Sequence, residues 1–156
     1  MDRIDRKIIF ELQRDATLPI AELANRVGLS ATPCWKRIKK LESSGVILAR
    51  VAIIDPKTIG LSVTAFVEIE CLDQSPASLR QFIDMTARMP EVIDVWRLTG
   101  EADYLLRVVV QDLAHFEIFR QQLGAAMDFR RITAKFTLDR PKRMAPYPCV
   151  ALAVAV

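Results

Sequence analysis

LSATPCWKRIKKLESSGVI, residues 29–47, is the stretch on which the reading of the fold turns. Four cations, Lys36, Arg37, Lys39 and Lys40, crowd two helical turns, yet small and apolar residues interrupt them. On a helix advancing about 100° per residue, Cys34, Ile38 and Leu41 share one side. Thr32, Lys36, Lys39, Lys40 and Ser43 lie opposite, with Trp35 and Arg37 on the flanks. One side suits a core; the other suits water or a negatively charged partner. Ser30 is placed to cap this helix, and Pro33 falls in its first turn, where a missing N–H costs nothing. Gly45 should end it near Ser43.

Upstream, Ile4, Ile8, Ile9 and Leu12 recur at helical spacing behind Asp2, a candidate N-cap. Pro19 opens a second helix striped by Ile20, Leu23, Ala24 and Val27, and Gly28 can take the left-handed conformation that ends it. Two helices joined by the short turn Gly28-Leu29-Ser30 make a helix-turn-helix. Residues 46–54, VILARVAII, read as extended and are expected to form a small wing. Asp55-Pro56 and Gly60 mark a linker at 56–60, which bounds a first domain at 1–55.

Charge supports a polyanion partner for that first domain. The 156-residue chain carries a formal +3, and residues 1–60 hold 11 Lys/Arg against 7 Asp/Glu, whereas residues 61–156 hold 11 against 12. The positive excess is therefore N-terminal. In a helix-turn-helix the start of the second helix enters the major groove. Ser30, Thr32, Pro33 and Lys36 are placed to approach base edges, and Arg37, Lys39 and Lys40 phosphates, which fix position without reading sequence. A solvated basic helix is the bland alternative, and the turn with its preceding apolar helices weighs against it. Cys34 reads as a small core residue and Trp35 as packing against its neighbours.

After residue 60 the period changes. In SVTAFVEIEC, Val63, Ala65, Val67, Ile69 and Cys71 alternate with Ser62, Thr64, Phe66, Glu68 and Glu70, a half-buried strand. Ser75-Pro76 starts a helix bearing Leu79, Phe82, Ile83 and Met89. Residues 92–98 and 104–110 read as strands joined by Thr99-Gly100-Glu101-Ala102-Asp103. Asp112 caps a helix carrying Phe116, Phe119 and Leu123, and residues 132–138 alternate Ile132, Ala134, Phe136 and Leu138 with polar residues. The expected class is α+β: an N-terminal winged helix-turn-helix and, over 61–142, a ferredoxin-like β-α-β-β-α-β domain. Helices would cover one face of its antiparallel sheet, and a second subunit is the expected cover for the other. Residues 143–156 form an apolar tail, read either as a strand added to an edge or as a loose end.

TGEADYLL, residues 99–106, is the second stretch with chemistry. Gly100 permits a tight loop, Asp103 offers a carboxylate to an ammonium group, and loop N–H groups can take a carboxylate. Those are the two ends of a free amino acid. A plain hairpin turn, with Asp103 bonding its own backbone, accounts for the same spacing. Catalysis finds little support. His115 is the one histidine and reads as solvent-facing; Glu68 and Glu70 read as a solvated or interfacial pair. No P-loop, dinucleotide fingerprint or metal cluster is present, and no cofactor is expected. The cysteines, Cys34, Cys71 and Cys149, are odd in number and widely spaced, against a disulfide framework. With a charged N-terminus and no apolar run near the ~20 residues of a membrane span, a cytoplasmic, nucleoid-associated location without a membrane partner is expected.

VGLSATPCWKRIKKLESSGVI resembles the helix-turn-helix of the Lrp/AsnC, or feast/famine, transcription regulators. The resemblance runs on through ARVAIIDPKTIGL and TGEADYLL to about Lys142, nearly the whole chain. TPCWKRIKKLE with MPEVIDVWRLTGEADYLLRV is most similar to the branch that includes cysteine-responsive activators of cysteine-detoxification genes. The resemblance implies an effector loop of Gly-x-x-Asp-Tyr type on Gly100, Asp103 and Tyr104, with Thr99 and Glu101 beside it, taking a small amino acid between subunits. It also implies dimers gathering into octamers on double-stranded operator DNA. Two departures stand out: Ala134 replaces the Ser or Thr common in the last strand, and RMAPYPCVALAVAV replaces the usual ending. An amino-acid-binding enzyme or enzyme-regulating module, and a chiefly architectural DNA-binding protein, are the competing functions.

Overall fold

Asp2 starts the fold as expected. Its carboxylate accepts the backbone N–H groups of Ile4 and Asp5, and the Asp5 carboxylate accepts the N–H of Asp2, a reciprocal box that caps α1 (Arg3–Arg14). The structure, a computed structural model, describes residues 1–143 and 145–149. They fall into two compact units: Met1–Ile53 with the described residues from Lys142 on, and Ile54–Pro141.

In the first unit, α2 (Ile20–Val27) follows Pro19, which occupies the N-cap position, one residue outside the helix it was expected to open. Gly28 takes φ 78°, and the N–H groups of Gly28 and Leu29 close on the carbonyls of Asn25 and Ala24. This Schellman pattern makes the turn as short as the sequence promised. α3 (Ala31–Ser43) ends the same way, with Gly45 at φ 73° and the N–H of Val46 on the Leu41 carbonyl. Cys34, Ile38 and Leu41 enter a core with Ile8, Leu23, Ala24 and Val27. Burying each large aliphatic side chain there contributes roughly 1.5–3 kcal/mol.

One expectation for this unit needs correction. Residues 46–54 form no strand; a wing needs two paired strands, and this single run has no partner, leaving Leu48 90% exposed and Val51, Ile53 and Ile54 uncovered. Trp35, on the flank of α3, is 47% exposed, so about half of its surface is covered. Residues 145–149 return to α1: the Tyr147 N–H donates to the Gln13 side chain at 2.8 Å, and Arg6 donates to the Cys149 carbonyl at 3.3 Å. The VALAVAV end of the chain lies outside the described residues from Val150 on.

The second unit begins with a 3-10 turn, Pro56–Ile59, capped by Asp55 and closed by Gly60. Then come β1 (Val63–Cys71), α4 (Pro76–Thr86), β2 (Val92–Arg97), β3 (Tyr104–Val110), α5 (Leu113–Ala126) and β4 (Phe129–Phe136). The sheet runs β2-β3-β1-β4, antiparallel throughout, which is the ferredoxin-like order. Ser75 and Asp112 cap the two helices as their sequences predict. Ala65, Val67, Ile69 and Cys71 of β1 meet Phe82 of α4 and Phe116, Phe119 and Leu123 of α5 in one core. Ile83, expected to share the buried stripe of α4, is exposed. β4 starts three residues before its expected beginning and stops before Leu138, which is 97% exposed. The far side of the sheet carries Phe66, Leu105 and Trp96 among Glu68, Arg107, Asp94 and Lys135, with Arg107 bridged to Asp94 at 2.6 Å.

Candidate functional site

Ser30, Ala31, Thr32, Pro33, Lys36, Lys39 and Lys40 are all exposed on one side of α3. Ser30 sits at the N-cap with extended backbone but makes no side-chain cap bond. The reason is chemical: Pro33 stands three residues on, so the N–H that a capping hydroxyl most often accepts does not exist. The Ser30 hydroxyl thus stays unengaged among the described residues.

The cations divide sharply. The Arg37 guanidinium donates to Asp2 at 2.6 Å and to Asp5 at 2.7 Å, both from Nη1, and the two carboxylates hold its pKa above the ordinary arginine value, Asp5 foremost. The placing of Arg37 against phosphate is therefore not what the structure brings about; the nearby acids of α1 have taken it. Lys39 pairs with Glu42 at 2.8 Å, and Arg50 joins the same carboxylate, whose pKa is lowered chiefly by Lys39. Arg26 is held by Glu11 and Glu22. Lys36 and Lys40, one turn apart on the exposed side, have no ion-pair or hydrogen-bond partner among the described residues. Cys34 behind them is fully buried, and desolvation pushes its thiol pKa up, as befits an inert core residue.

The loop between β2 and β3 is tied at its base by the Leu98 N–H to the Asp103 carbonyl and by the Asp103 N–H to the Ile69 carbonyl, each 2.8 Å. The Asp103 side chain makes no bond within its own turn among the described residues. Its carboxylate accepts the Cys71 backbone N–H at 2.7 Å and the Gln74 side chain at 2.8 Å, latching the loop to the end of β1. Tyr104 is buried and stacks on Phe82 with ring centroids 4.3 Å apart. It shares the inward parity of Leu106 and Val108 on β3 and so belongs to the helix-covered core.

A cavity of about 260 Å³ opens elsewhere on this loop, lined by Glu68, Glu70, Leu98, Thr99, Glu101, Ala102, Arg131 and Thr133. Of the expected effector residues, Thr99 and Glu101 line it and Gly100, at φ 123°, makes the turn between them. Asp103 and Tyr104 are not brought to it. The lining residues not among the expected effector residues are Glu68, Glu70, Leu98, Ala102, Arg131 and Thr133. Arg131 keeps the regular register opposite Glu70, while the slip between Glu70 and Cys71 leaves Arg130 extra on β4; both Arg130 (3.5 Å) and Arg131 (3.3 Å) reach Glu70. Arg131 also meets Glu101 at 3.3 Å, and Lys135 pairs with Glu68. The cavity thus presents carboxylates and a guanidinium within one small space, beside the apolar Leu98.

His115 has a carboxylate partner that its sequence position did not reveal, Asp112 at 3.0 Å. That carboxylate also accepts the His115 backbone N–H, which is a helix cap. Among the described residues no group of His, Cys, Asp and Glu is placed to hold a metal ion, and no helix is long and apolar enough to cross a membrane.

Comparison with known proteins joins the two halves. Winged helix-turn-helix DNA-binding segments match residues 1–47, and the Lrp/AsnC ligand binding domain matches residues 64–147. The DNA-binding transcriptional activator DecR of Escherichia coli (strain K12) is 39% identical over 149 residues, covering 95% of this chain and 98% of that protein. The crystal structure of an AsnC family transcriptional regulator from Agrobacterium tumefaciens superposes with a TM-score of 0.90 at 42% identity, covering all of both chains. A transcriptional regulator from Neisseria meningitidis, solved as an L-Met complex, gives a TM-score of 0.90 at 30% identity, covering 97% of this chain and 99% of the other. These matches define a DNA-binding transcription regulator carrying a ligand-binding domain. The chain belongs to the Lrp/AsnC family.

Proposed function

We propose that this regulator answers a small amino acid, with α3 as the DNA-reading element and the cavity beside residues 98–102 as the effector site. Ser30, Thr32 and Pro33 meet base edges at the start of α3, and Lys36 and Lys40, with Lys39 in support, meet phosphates. The observation that carries the DNA half is the charge census: in the first unit nearly every acid of the helices is matched to a cation, yet Lys36 and Lys40 are left open on the side away from the core.

For the effector, Arg131 is the group for a carboxylate, Glu101 and Glu70 are the groups for an ammonium, and Leu98 flanks the side chain. The volume lies just below the roughly 300–1,000 Å³ of common ligand pockets, which favours a small ligand. The L-methionine bound by the Neisseria relative is of the right chemical kind, and the resemblance to the cysteine-responsive branch makes cysteine the first to try. A homodimer through the open sheet face around Phe66, Leu105 and Trp96, assembling toward an octamer on chromosomal DNA, accords with the uncovered apolar residues there and in 48–54. Effector binding acts by favouring one assembly over another, and only to the extent of its differing affinity for the two.

A thermal-shift screen of the twenty amino acids tests the effector half, run on the unaltered chain and on Arg131→Ala. A shift with one small amino acid that disappears in the variant is expected. A shift that survives Arg131→Ala unchanged would place the ligand elsewhere.

A further inference from the structure

We propose that Asp2, Asp5 and Arg37 form a clamp that sets the rotation of α3 about its own axis, making Arg37 a positioning residue for sequence reading. The proposal rests on α3 being the DNA-reading helix. Among the described residues, the two bonds from Arg37 Nη1, at 2.6 Å to Asp2 and 2.7 Å to Asp5, are the only ones from an α3 side chain to another helix or its cap. Apart from Arg50 on Glu42, a tie to the segment that follows α3, the rest of its hold is apolar: Cys34, Ile38 and Leu41. Apolar contact is non-directional, so such a seam tolerates rolling. A charge-assisted bond has fixed length and angle and does not.

The clamp is itself anchored. Asp5 is mostly buried; one of its oxygens takes Arg37 while the other takes the Asp2 N–H, and Asp2 in turn caps α1 with its other oxygen. The start of α1 and the flank of α3 are thus one network. On the opposite flank Trp35 is half-exposed and ties α3 to nothing polar. Arg37 directly follows Lys36 and lies between the buried seam and the exposed cations, so a roll of α3 moves Thr32 and Lys36 together relative to the groove.

The signs separate this role from direct phosphate contact. Asp2→Asn and Asp5→Asn each remove a negative charge close to the DNA-facing helix, which by attraction alone would tighten binding to any duplex. A clamp makes them loosen discrimination instead. Asparagine is as good an N-cap as aspartate, so Asp2→Asn keeps α1 capped while weakening the hold on Arg37. The probe is a duplex selected by the unaltered chain from a random-sequence pool, with a scrambled duplex of equal length beside it. Circular dichroism checks that each variant is folded.

Arg37→Gln and Asp5→Asn should each reduce the preference for the selected duplex about tenfold, the ratio set by one lost charge-assisted bond. The double variant should be no worse than either single one, Arg37→Lys should recover part of the loss, and scrambled-duplex binding should hold or rise in the aspartate variants. Additive losses, or a salt dependence reduced by about one unit per Arg37 removed, would make Arg37 a phosphate contact and overturn the clamp. Preference intact in Asp2→Asn and Arg37→Gln while Lys36→Ala weakens binding would overturn the clamp alone. Undiminished binding by Lys36→Ala/Lys40→Ala would overturn the α3 reading, and the role of the clamp with it.

Discussion

Replacing Lys36 and Lys40 together by alanine should change how salt weakens DNA binding more than it changes the fold. Both side chains are exposed and without partners among the described residues, so their removal costs no ion pair or hydrogen bond there. Each phosphate neutralised adds about 0.9 to the slope of log affinity against log salt. In the proposed dimer, two lysines on each protomer make four such contacts, so the slope should fall by about 3.6. Between about 50 and 200 mM salt, a fourfold range, that amounts to roughly a 150-fold smaller loss of affinity for the variant, or about 12-fold if one protomer alone engages. Fluorescence anisotropy of a labelled duplex over that range reads both quantities. Lys39→Ala is the internal comparison: its ammonium already faces Glu42 at 2.8 Å, so it should lower the slope by clearly less. An unchanged slope in the double variant, or the largest drop at Lys39, would refute the reasoning from free against paired cations.

Asp103→Ala should leave DNA binding near normal but destabilise the second unit by about 1–3 kcal/mol, because the N–H of the buried Cys71 loses its acceptor; an unmoved denaturation midpoint would contradict the latch. Thiol reagents followed by mass spectrometry should label half-buried Cys149 before Cys34 and Cys71, whose burial and, at Cys71, the added carboxylate of Asp103 push their thiols up; early labelling of Cys34 would refute this. The Asp2 carboxyl is held below its ordinary 3.8, first by the Asp5 N–H and then by Arg37. A lowered folded pKa means stability that is present above the unfolded value and lost as pH falls through the folded one, so Asp2→Asn should flatten the acid limb of a stability profile below about pH 4; an unaltered limb would count against it.

Local chemistry explains what could be read from the residues alone. Gly28 and Gly45 end helices because only glycine adopts positive φ cheaply, and that signal needs no tertiary context. The alternation of β1 worked for the same reason. What escaped reading was set by distance or by register. Arg37 looked free because Asp2 lies 35 residues away, and nothing local announces the pair. Arg131 was missed because the last strand was expected to begin one residue after it, and Glu68 and Glu70 read as a solvated or interfacial pair until β4 brought its cations beside them. Tyr104 was legible and misplaced: it has the same parity as Leu106 and Val108, which argued for the core, whereas the family pattern argued for the ligand. Residues 46–54 were misread as a strand because an extended run cannot name its own pairing partner.

The return of residues 145–149 to α1 has a consequence for how the protein is made. Arg6 and Cys149 touch across 143 residues of chain, so α1 keeps one flank unfinished until residues 145–149 have been made. Early folding of the N-terminal segment therefore yields a helical trio still waiting for its strap, and a fragment cut at Ile53 would be frozen in that juvenile form.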